Sequence, residues 1–237
     1  MTLEPVPEDW SRCLAVVAHP DDLEFGAAAV LARWTGQGKS VVQVLATRGE
    51  AGIDGLPPAE AARVRTAEQL ASGAIVGAES VEFLDHPDGS LQPGLDLRRD
   101  LARAIRRHRP DVVLTLSFRE TFRGGGGWNH ADHRILGEAL VDAVRDAANR
   151  WVFPELREEG HEPWSGVRFV LVASSPLSGH YVDVTDSIDT GIASLQAHRA
   201  YIEGLGGDFD PEAFLRGSSE GVGREVGVGN AVPFELL

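Results

Sequence analysis

Two short segments of the sequence combine histidines with carboxylates at spacings that suit a metal site. The first, His-Pro-Asp-Asp at 19–22, follows an apolar run, and the second is Asn-His-Ala-Asp-His at 129–133. His19 and Asp22 are three residues apart across a strand-to-helix turn, so both can face one point. With His133 from the second segment they form a His-Asp-His set, which suits zinc and leaves one coordination position open for water.

The remaining polar residues of the two segments match the needs of amide hydrolysis. Zinc lowers the pKa of a bound water towards about 7 and polarises a carbonyl group. Asp21 can take the proton of that water and pass it to the leaving amine. His130 can hydrogen-bond the oxyanion, with Asp132 behind it to fix its tautomer and favour its charged form. These three are therefore the predicted catalytic residues.

Each segment alone also fits a helix N-cap. Asp21 with Glu24, and Asn129 with Asp132, have the three-residue spacing of a capping pair. Capping requires neither two adjacent acids nor three histidines at one place, so the two segments together favour a metal site. The two roles are compatible, because a cap holds the backbone of a ligand in place.

Strands and helices alternate along the first half of the chain, which indicates how these segments meet. Apolar β-branched runs such as 13–18 precede segments of helical periodicity such as 23–38. This order is typical of right-handed βαβ units. We therefore expect an α/β fold with a Rossmann-like, mostly parallel sheet and helices on both faces. Both polar segments then lie at the carboxyl ends of the strands, where the active site is expected.

The second half of the chain predicts further elements. Strands expected at 167–174 and 180–185 flank a turn rich in Ser, Pro and Gly, which suggests a hairpin at one sheet edge. One helix is expected over 186–205, and the glycine-rich tail after Arg216 is expected to be a loop. Since no linker or internal repeat is visible, residues 1–237 are predicted to form one domain.

Composition limits the partners and the compartment. The formal charge of −14 disfavours nucleic acid and anionic membrane surfaces as partners. Cys13 is the only cysteine, so an internal disulfide and a cysteine-rich zinc site are both excluded. The sequence shows neither a signal peptide nor an apolar run of about 20 residues. The cytoplasm is therefore the expected compartment.

The sequence resembles the PIG-L/LmbE-like zinc-dependent N-acetylglucosaminyl deacetylases. The resemblance rests on Ala-His-Pro-Asp-Asp at 18–22 together with His-Ala-Asp-His at 130–133, and it runs from about Cys13 to His133. It implies removal of an N-acetyl group from an N-acetylglucosamine-type conjugate. It also implies a Zn²⁺ cofactor, with another divalent ion such as Fe²⁺ as the alternative.

The resemblance also assigns roles to individual positions. The metal ligands fall on His19, Asp22 and His133, the general base on Asp21, and the oxyanion-side histidine and its partner on His130 and Asp132. Arg65 and Asp88 fall where relatives contact substrate. For these two a simpler interpretation stays open, because Arg65 and Glu68 have the spacing of a surface pair and Pro-Asp-Gly at 87–89 is an ordinary turn sequence.

Some features depart from the family pattern or stay open. Ala131 replaces the usual proline of the downstream motif, and Trp128 replaces a tyrosine of mycothiol-type members, which weakens an assignment to that pathway. Gly124–Gly127 predicts either a mobile flap over the site or a disordered loop. Trp128 could stack on a sugar ring, and His198 is expected at the surface.

Other functions fit parts of the pattern. One is a different single-metal hydrolase on the same scaffold, such as an amidase or a phosphoesterase, although many phosphoesterases use two metals. Another is a nucleotide-binding module or a non-catalytic sugar-binding module. The first strand is not followed by G-x-G-x-x-G, which disfavours a dinucleotide site. The sequence leaves the oligomeric state open, with a homo-oligomer among the options.

Overall fold

A sheet of eight strands runs through the part of the chain that the computed structural model describes, residues 3–125 and 127–237. The strands are β1 (Glu4–Pro5), β2 (Arg12–Val17), β3 (Ser40–Leu45), β4 (Ser80–Phe83), β5 (Val112–Leu116), β6 (Phe169–Ala173), β7 (His180–Asp183) and β8 (Ala231–Leu236). Their spatial order is β1-β7-β8-β6-β5-β2-β3-β4. β2 therefore lies inside the sheet, between β5 and β3.

The sheet is parallel except around β8. β2 pairs in parallel with β3 and β5, and β5 pairs in parallel with β6. The mostly parallel α/β fold predicted from the sequence is thus confirmed. The predicted hairpin is wrong, because β8 lies between β6 and β7 and pairs antiparallel with both. β6 and β7 consequently run in the same direction on opposite sides of β8.

Helices cover both faces of the sheet. They are α1 (Asp22–Gly26), α2 (Ala28–Gly36), α3 (Pro58–Ile75), α4 (Leu95–His108), α5 (Ala131–Ala148), α6 (Glu155–Glu158), α7 (Ile188–Gln196), α8 (Arg199–Leu205) and α9 (Pro211–Val226). Along β2, Cys13 and Ala15 belong to one hydrophobic cluster and Leu14 and Val16 to another, because successive strand residues face opposite sides. Among the described residues no helix is long and apolar enough to cross a membrane.

The tail after Arg216 continues α9 to Val226 and then forms β8, so its prediction as a loop is wrong. The carboxylate of Asp210 caps α9 by accepting hydrogen bonds from the N–H groups of Glu212 and Ala213. A glycine in this helix serves close packing, since a Cβ on Gly223 would lie 2.6 Å from the carbonyl oxygen of Gly229. Gly223 thus lets α9 pack against the segment that leads into β8.

The helix predicted over 186–205 is interrupted. α7 ends at Gln196 and α8 begins at Arg199. His198, between them, is fully buried, so its predicted place at the surface is wrong. Its Nε2 lies 3.6 Å from Oε2 of Glu24, which is also buried. The break in the helix therefore brings this imidazole behind the turn that follows β2.

Candidate metal centre

In the turn after β2, the two oxygens of the Asp22 carboxylate make contacts on opposite sides. Oδ2 of Asp22 accepts hydrogen bonds from the N–H groups of Ala18 and His19, at 3.1 and 2.9 Å. Oδ1 lies 3.0 Å from Nε2 of His133, which stands in the first turn of α5. One oxygen thus closes the turn while the other faces a histidine from the neighbouring strand-to-helix connection.

Three donor atoms converge at this place. Nδ1 of His19 lies 3.2 Å from Nε2 of His133, and ligand atoms of His19, Asp22 and His133 all lie within 4.8 Å of one another. The three side chains come from the connection after β2, including the start of α1, and from the first turn of α5, the helix that follows β5. β2 and β5 are neighbours in the sheet. Two imidazole nitrogens and one carboxylate oxygen are a donor set that zinc accepts.

In each ring the inner nitrogen faces the other histidine and the outer nitrogen faces away. The contacts of the outer nitrogens show that the inner nitrogens suit a metal. Nδ1 of His133 lies 2.8 Å from the side-chain oxygen of Asn129, and Nε2 of His19 lies 3.0 Å from Oδ1 of Asp88. Each outer nitrogen therefore carries a hydrogen, and in the neutral ring the inner nitrogen carries a lone pair. Two lone pairs that face each other at 3.2 Å need a proton or a cation between them. The residues present thus fit a divalent ion.

A second group of possible ligands shares His19. It consists of His19, His130 and Asp132. The carboxylate of Asp132 already accepts hydrogen bonds from the N–H groups of Gly89 and Leu91, at 2.8 and 3.2 Å. Its Oδ2 also lies 3.3 Å from Nε2 of His19. These contacts make Asp132 an acceptor that orients His19, so we favour the first group as the metal centre.

The electrostatics of the centre keep Asp22 ionised. Although burial raises the pKa of Asp22, the His133 and His19 rings outweigh burial and hold that pKa well below its ordinary value. Burial likewise lowers the pKa of His19, but hydrogen bonds with Asp132 and Asp22 raise it well above its ordinary value. A cation between these groups is therefore favoured, whether it is a proton or a metal ion.

Asp21 lies beside the three donors without joining them. Its backbone adopts a φ of 89°, which is rare for a residue with a side chain. Its N–H donates to Oε1 of Gln69 at 3.0 Å, and its Oδ2 accepts from Nη2 of Arg65 at 2.8 Å. Burial raises the pKa of Asp21 to about 7; Asp22 adds to the rise and Arg65 opposes it. The unusual backbone thus places a carboxyl group with a raised pKa beside the candidate metal centre.

The capping interpretation fails for the first segment. Asp21 occupies the N-cap position of α1, yet its side chain makes no capping hydrogen bond and turns to Arg65 instead. In the second segment the N-cap of α5 is His130, whose Nδ1 accepts from the N–H of Asp132 at 3.2 Å. Asn129, the residue expected to cap, directs its oxygen to His133.

The residues predicted around the centre lie close to it, with contacts that the sequence did not predict. The His130 ring lies edge-on to the His19 ring, with 5.0 Å between the ring centroids. Its Nδ1 accepts a hydrogen bond from the backbone N–H of Asp132, not from the predicted partner group, the carboxylate. Burial, with the nearby His19, lowers the pKa of His130. Asp88 contacts His19 and accepts from the N–H of Ala51 at 2.8 Å.

Substrate contact by Arg65 and Asp88 stays a prediction. The side chain of Arg65 is 3% exposed and that of Asp88 is 5% exposed. Trp128, by contrast, is 84% exposed. Of the glycine run predicted as a flap, Gly126 lies outside the described residues, so the flap also stays a prediction.

Sequence reasoning missed two amides that hold the centre. Asn129 binds His133 and donates from its amide nitrogen to the carbonyl oxygens of Ser117 and Arg119, at 2.6 and 2.9 Å. Gln69 holds the N–H of Asp21 and donates to Oε1 of Glu24 at 3.1 Å. Asn129 stands directly before His130 and could have been found from that position. Gln69 lies on α3, and nothing in its own segment points to the centre.

Comparison with known proteins agrees with this geometry. Residues 14–144, more than half of the chain, match the family model described as "PIG-L: GlcNAc-PI de-N-acetylase". The resemblance seen in the sequence is thereby confirmed. The matched range contains both histidine-carboxylate segments.

Individual relatives are similar to different extents. The chain is 33% identical over 170 residues to the 1D-myo-inositol 2-acetamido-2-deoxy-alpha-D-glucopyranoside deacetylase of Kineococcus radiotolerans, a match that spans 58% of this chain and 45% of that relative. It is 27% identical over 198 residues to the diacetylchitobiose deacetylase of Thermococcus kodakarensis, across 81% of this chain and 70% of the relative. The chain thus spans about half the length of the first of these proteins.

A solved structure shares the fold. The N,N'-diacetylchitobiose deacetylase from Pyrococcus horikoshii superposes with a TM-score of 0.85 at 22% identity, across 97% of this chain and 85% of that one. At this identity the likeness shows the fold alone. Because it covers 97% of this chain, it extends beyond residues 14–144, the segment that the family model matches.

Proposed function

The chain belongs to the PIG-L family of GlcNAc-PI de-N-acetylases, and we propose that it is a metal-dependent hydrolase that removes the N-acetyl group from an N-acetylglucosamine-type sugar conjugate. The observation that carries this proposal is the convergence of His19, Asp22 and His133 beside a buried Asp21. The named relatives act on N-acetylated sugars, which supports the same substrate class here. A small N-acetylated amino sugar is therefore the proposed partner.

We assign the metal to His19, Asp22 and His133 and propose Zn²⁺, with Fe²⁺ as the alternative. A divalent ion held there would polarise the amide carbonyl and would lower the pKa of a water molecule towards about 7. The overall reaction consumes one water and one amide and yields acetate and a free amine. The chain's own residues must orient the amide and move one proton from the water to the leaving nitrogen.

Asp21 is suited to move that proton. Arg65 occupies its Oδ2, so Oδ1 is the oxygen assigned to take the proton. The pKa of Asp21 is about 7, raised mainly by burial. Because this pKa lies near neutral pH, the carboxylate can both accept a proton and return it. After the carbonyl carbon has been attacked, the same oxygen gives the proton to the amine nitrogen as the C–N bond breaks.

His130 is suited to bind the carbonyl oxygen. Its Nδ1 accepts a hydrogen bond from the N–H of Asp132, so in the neutral ring the hydrogen is on Nε2. Because burial and His19 lower the pKa of His130, the neutral form prevails at pH 7. Nε2–H can then donate to the oxygen on which negative charge develops.

The test is a panel of N-acetylated glycosides, assayed for free amine and acetate with the metal-loaded protein. We expect amine release from N-acetylglucosaminides and loss of that release after chelation, restored by one equivalent of Zn²⁺. Cleavage of simple non-sugar amides at equal rates would favour the alternative of a general amidase. Specific binding of these glycosides without release of amine would favour a sugar-binding module.

A further inference from the structure

A buried imidazole and a buried carboxylate form a pair behind the turn that carries Asp21. The side chains of His198 and Glu24 are both fully buried, and Nε2 of His198 lies 3.6 Å from Oε2 of Glu24. Neither ring nitrogen of His198, nor Oε2 of Glu24, has a hydrogen-bond partner within the described part of the chain. His198 stands in the break between α7 and α8, outside residues 14–144 that the family model matches.

The stability of the fold does not by itself account for this pair. Removing two charges from water is unfavourable, and apolar side chains of similar volume are often at least as stable in place of such a pair. Although burial lowers the pKa of His198, the Glu24 carboxylate outweighs burial and raises that pKa above its ordinary value. The ring is therefore favoured as a cation that faces an anion. What the anion holds with its other oxygen indicates the role of the pair.

That other oxygen of Glu24 orients an amide group. Oε1 of Glu24 accepts hydrogen bonds from Nε2 of Gln69 at 3.1 Å and from Oγ of Ser72 at 2.5 Å. Nε2 of Gln69 also donates to Oε1 of Gln43 at 3.0 Å. Since both hydrogens of this NH₂ group have acceptors, the amide oxygen of Gln69 must face the other way. Glu24 and Gln43 thus set the direction of that oxygen.

The amide oxygen of Gln69 in turn holds the backbone of Asp21. It accepts a hydrogen bond from the N–H of Asp21 at 3.0 Å. The φ of 89° at Asp21 is a conformation that persists only where the surrounding groups enforce it. With this backbone the side chain of Asp21 makes no capping bond to α1 and contacts Arg65. A chain of contacts therefore runs from His198 through Glu24 and Gln69 to the backbone that places Asp21.

We propose that His198 is a positioning residue for Asp21. Its ring holds the carboxylate of Glu24 in place, so that Glu24 orients Gln69 and Gln69 keeps the backbone of Asp21 at its positive φ. The effect is on the placement of the group assigned to proton transfer, and the metal ligands keep their own supports. This inference rests on the proposed function, because the role of Asp21 as the base belongs to that proposal.

Two amide side chains at position 198 separate contact with Glu24 from simple polarity. The amide nitrogen of glutamine can take the place of Nε2 of the ring, whereas the shorter asparagine reaches only the place of Nδ1. We expect His198→Asn to lower kcat at least about tenfold, with KM and Zn²⁺ affinity within about twofold of wild type, because misplacing a reacting group slows the chemical step. His198→Gln should keep the wild-type kcat. Equal kcat values in the two variants, or loss of Zn²⁺ from either, would overturn the inference.

A double variant distinguishes positioning from a purely structural role. Glu24→Met/His198→Leu removes both charges at similar volume, so its denaturation midpoint should lie near that of the wild type even if neither amide variant folds. Its kcat should still be at least about tenfold lower at unchanged KM, because Gln69 has lost an acceptor. A purely structural role predicts that stability and kcat recover together, and that result would overturn the inference. Leu156→Ala, in the core beyond the far end of α5, is a destabilised control that should keep the wild-type kcat.

Hydrogen exchange at the amide of Asp21 tests the inference without any turnover. NMR of the zinc-loaded protein should show slow exchange of this N–H in the wild type and in His198→Gln. In His198→Asn and in the double variant it should exchange at least about tenfold faster, because the acceptor on Gln69 is no longer held. An unchanged rate in both would overturn the inference independently of catalysis. The expected exchange rates in a protein that releases amine from no glycoside would refute the proposed function alone.

Discussion

Nη2 of Arg65 lies 2.8 Å from Oδ2 of Asp21, and both side chains are buried. The same guanidinium donates to the carbonyl oxygens of Pro20 and Gly49, at 2.5 and 3.0 Å, and lies 4.3 Å from the ring of Tyr201. The arginine therefore holds both the backbone of the turn and one carboxylate oxygen. The proposed proton transfer is assigned to the other oxygen of Asp21, Oδ1.

Replacement of Arg65 should impair turnover more than substrate binding. We expect Arg65→Gln to lower kcat at least about tenfold and to cost about 3–5 kcal/mol of unfolding free energy, because a buried ion pair loses one partner. Steady-state kinetics and chemical denaturation measure both effects. Arg63→Gln, an exposed change on the same helix, is the matched control. A raised KM with unchanged kcat would instead support the predicted substrate contact.

Asn129 should control metal affinity through His133. Loss of the hydrogen bond to Nδ1 frees the ring to rotate and to change tautomer, so Asn129→Ala should weaken Zn²⁺ binding about 10- to 100-fold. Competition with a chromogenic chelator measures this affinity. Asn149→Ala, at the other end of α5, removes a hydrogen bond to the N–H of Trp151 and should leave the affinity unchanged. Equal affinities for wild type and Asn129→Ala would remove this asparagine from the support of the centre.

The convergence of His19, Asp22 and His133 could be predicted because the information for it is local. His19 and Asp22 stand in one turn, and His133 opens the helix after a strand that pairs in parallel with β2. Alternating strand and helix patterns were enough to place both turns at one edge of the sheet. The supporting contacts could not be predicted in this way, since Arg65 reaches Asp21 only when α3 packs against the turn. The same holds for Gln69.

The errors in the fold have a common physical origin. The glycines after Arg216 suggested a loop, but Gly223 is required where α9 approaches the backbone of Gly229. Likewise β8 separates β6 from β7, and such long-range pairing leaves no mark on the local pattern. His198 was expected at the surface of a helix, yet it is buried beside Glu24.

Metal binding should release a proton from His19. Burial lowers the pKa of His19, but hydrogen bonds with Asp132 and Asp22 raise it by more. In the metal-free protein this pKa therefore lies well above its ordinary value. At pH 7 the ring is then protonated and must lose a proton before Nδ1 can bind an ion. Affinity should therefore rise with pH, about tenfold per unit, as long as the pH is below that pKa.

Calorimetry in two buffers of different ionisation enthalpy measures the proton release. We expect about one proton per Zn²⁺ at pH 7. His86→Gln is the control, because His86 pairs with Asp100 away from the centre and should not alter the count. Zinc binding without proton release at pH 7 would mean that both inner nitrogens are already unprotonated in the metal-free protein.

Asp21 is the residue on which the proposed mechanism depends most directly. Asp21→Asn keeps the size of the side chain and an oxygen that can accept from Arg65, but it cannot take up a proton. Because a placed general base contributes about 10²- to 10⁴-fold, turnover should fall at least about 10²-fold while zinc content stays at the wild-type level. Asp85→Asn is a matched control, since Asp85 also has a positive φ, of 60°, and pairs with an arginine, Arg48. Its turnover should equal that of the wild type. Near wild-type turnover of Asp21→Asn would exclude Asp21 as the base, and loss of zinc together with activity would make it a ligand.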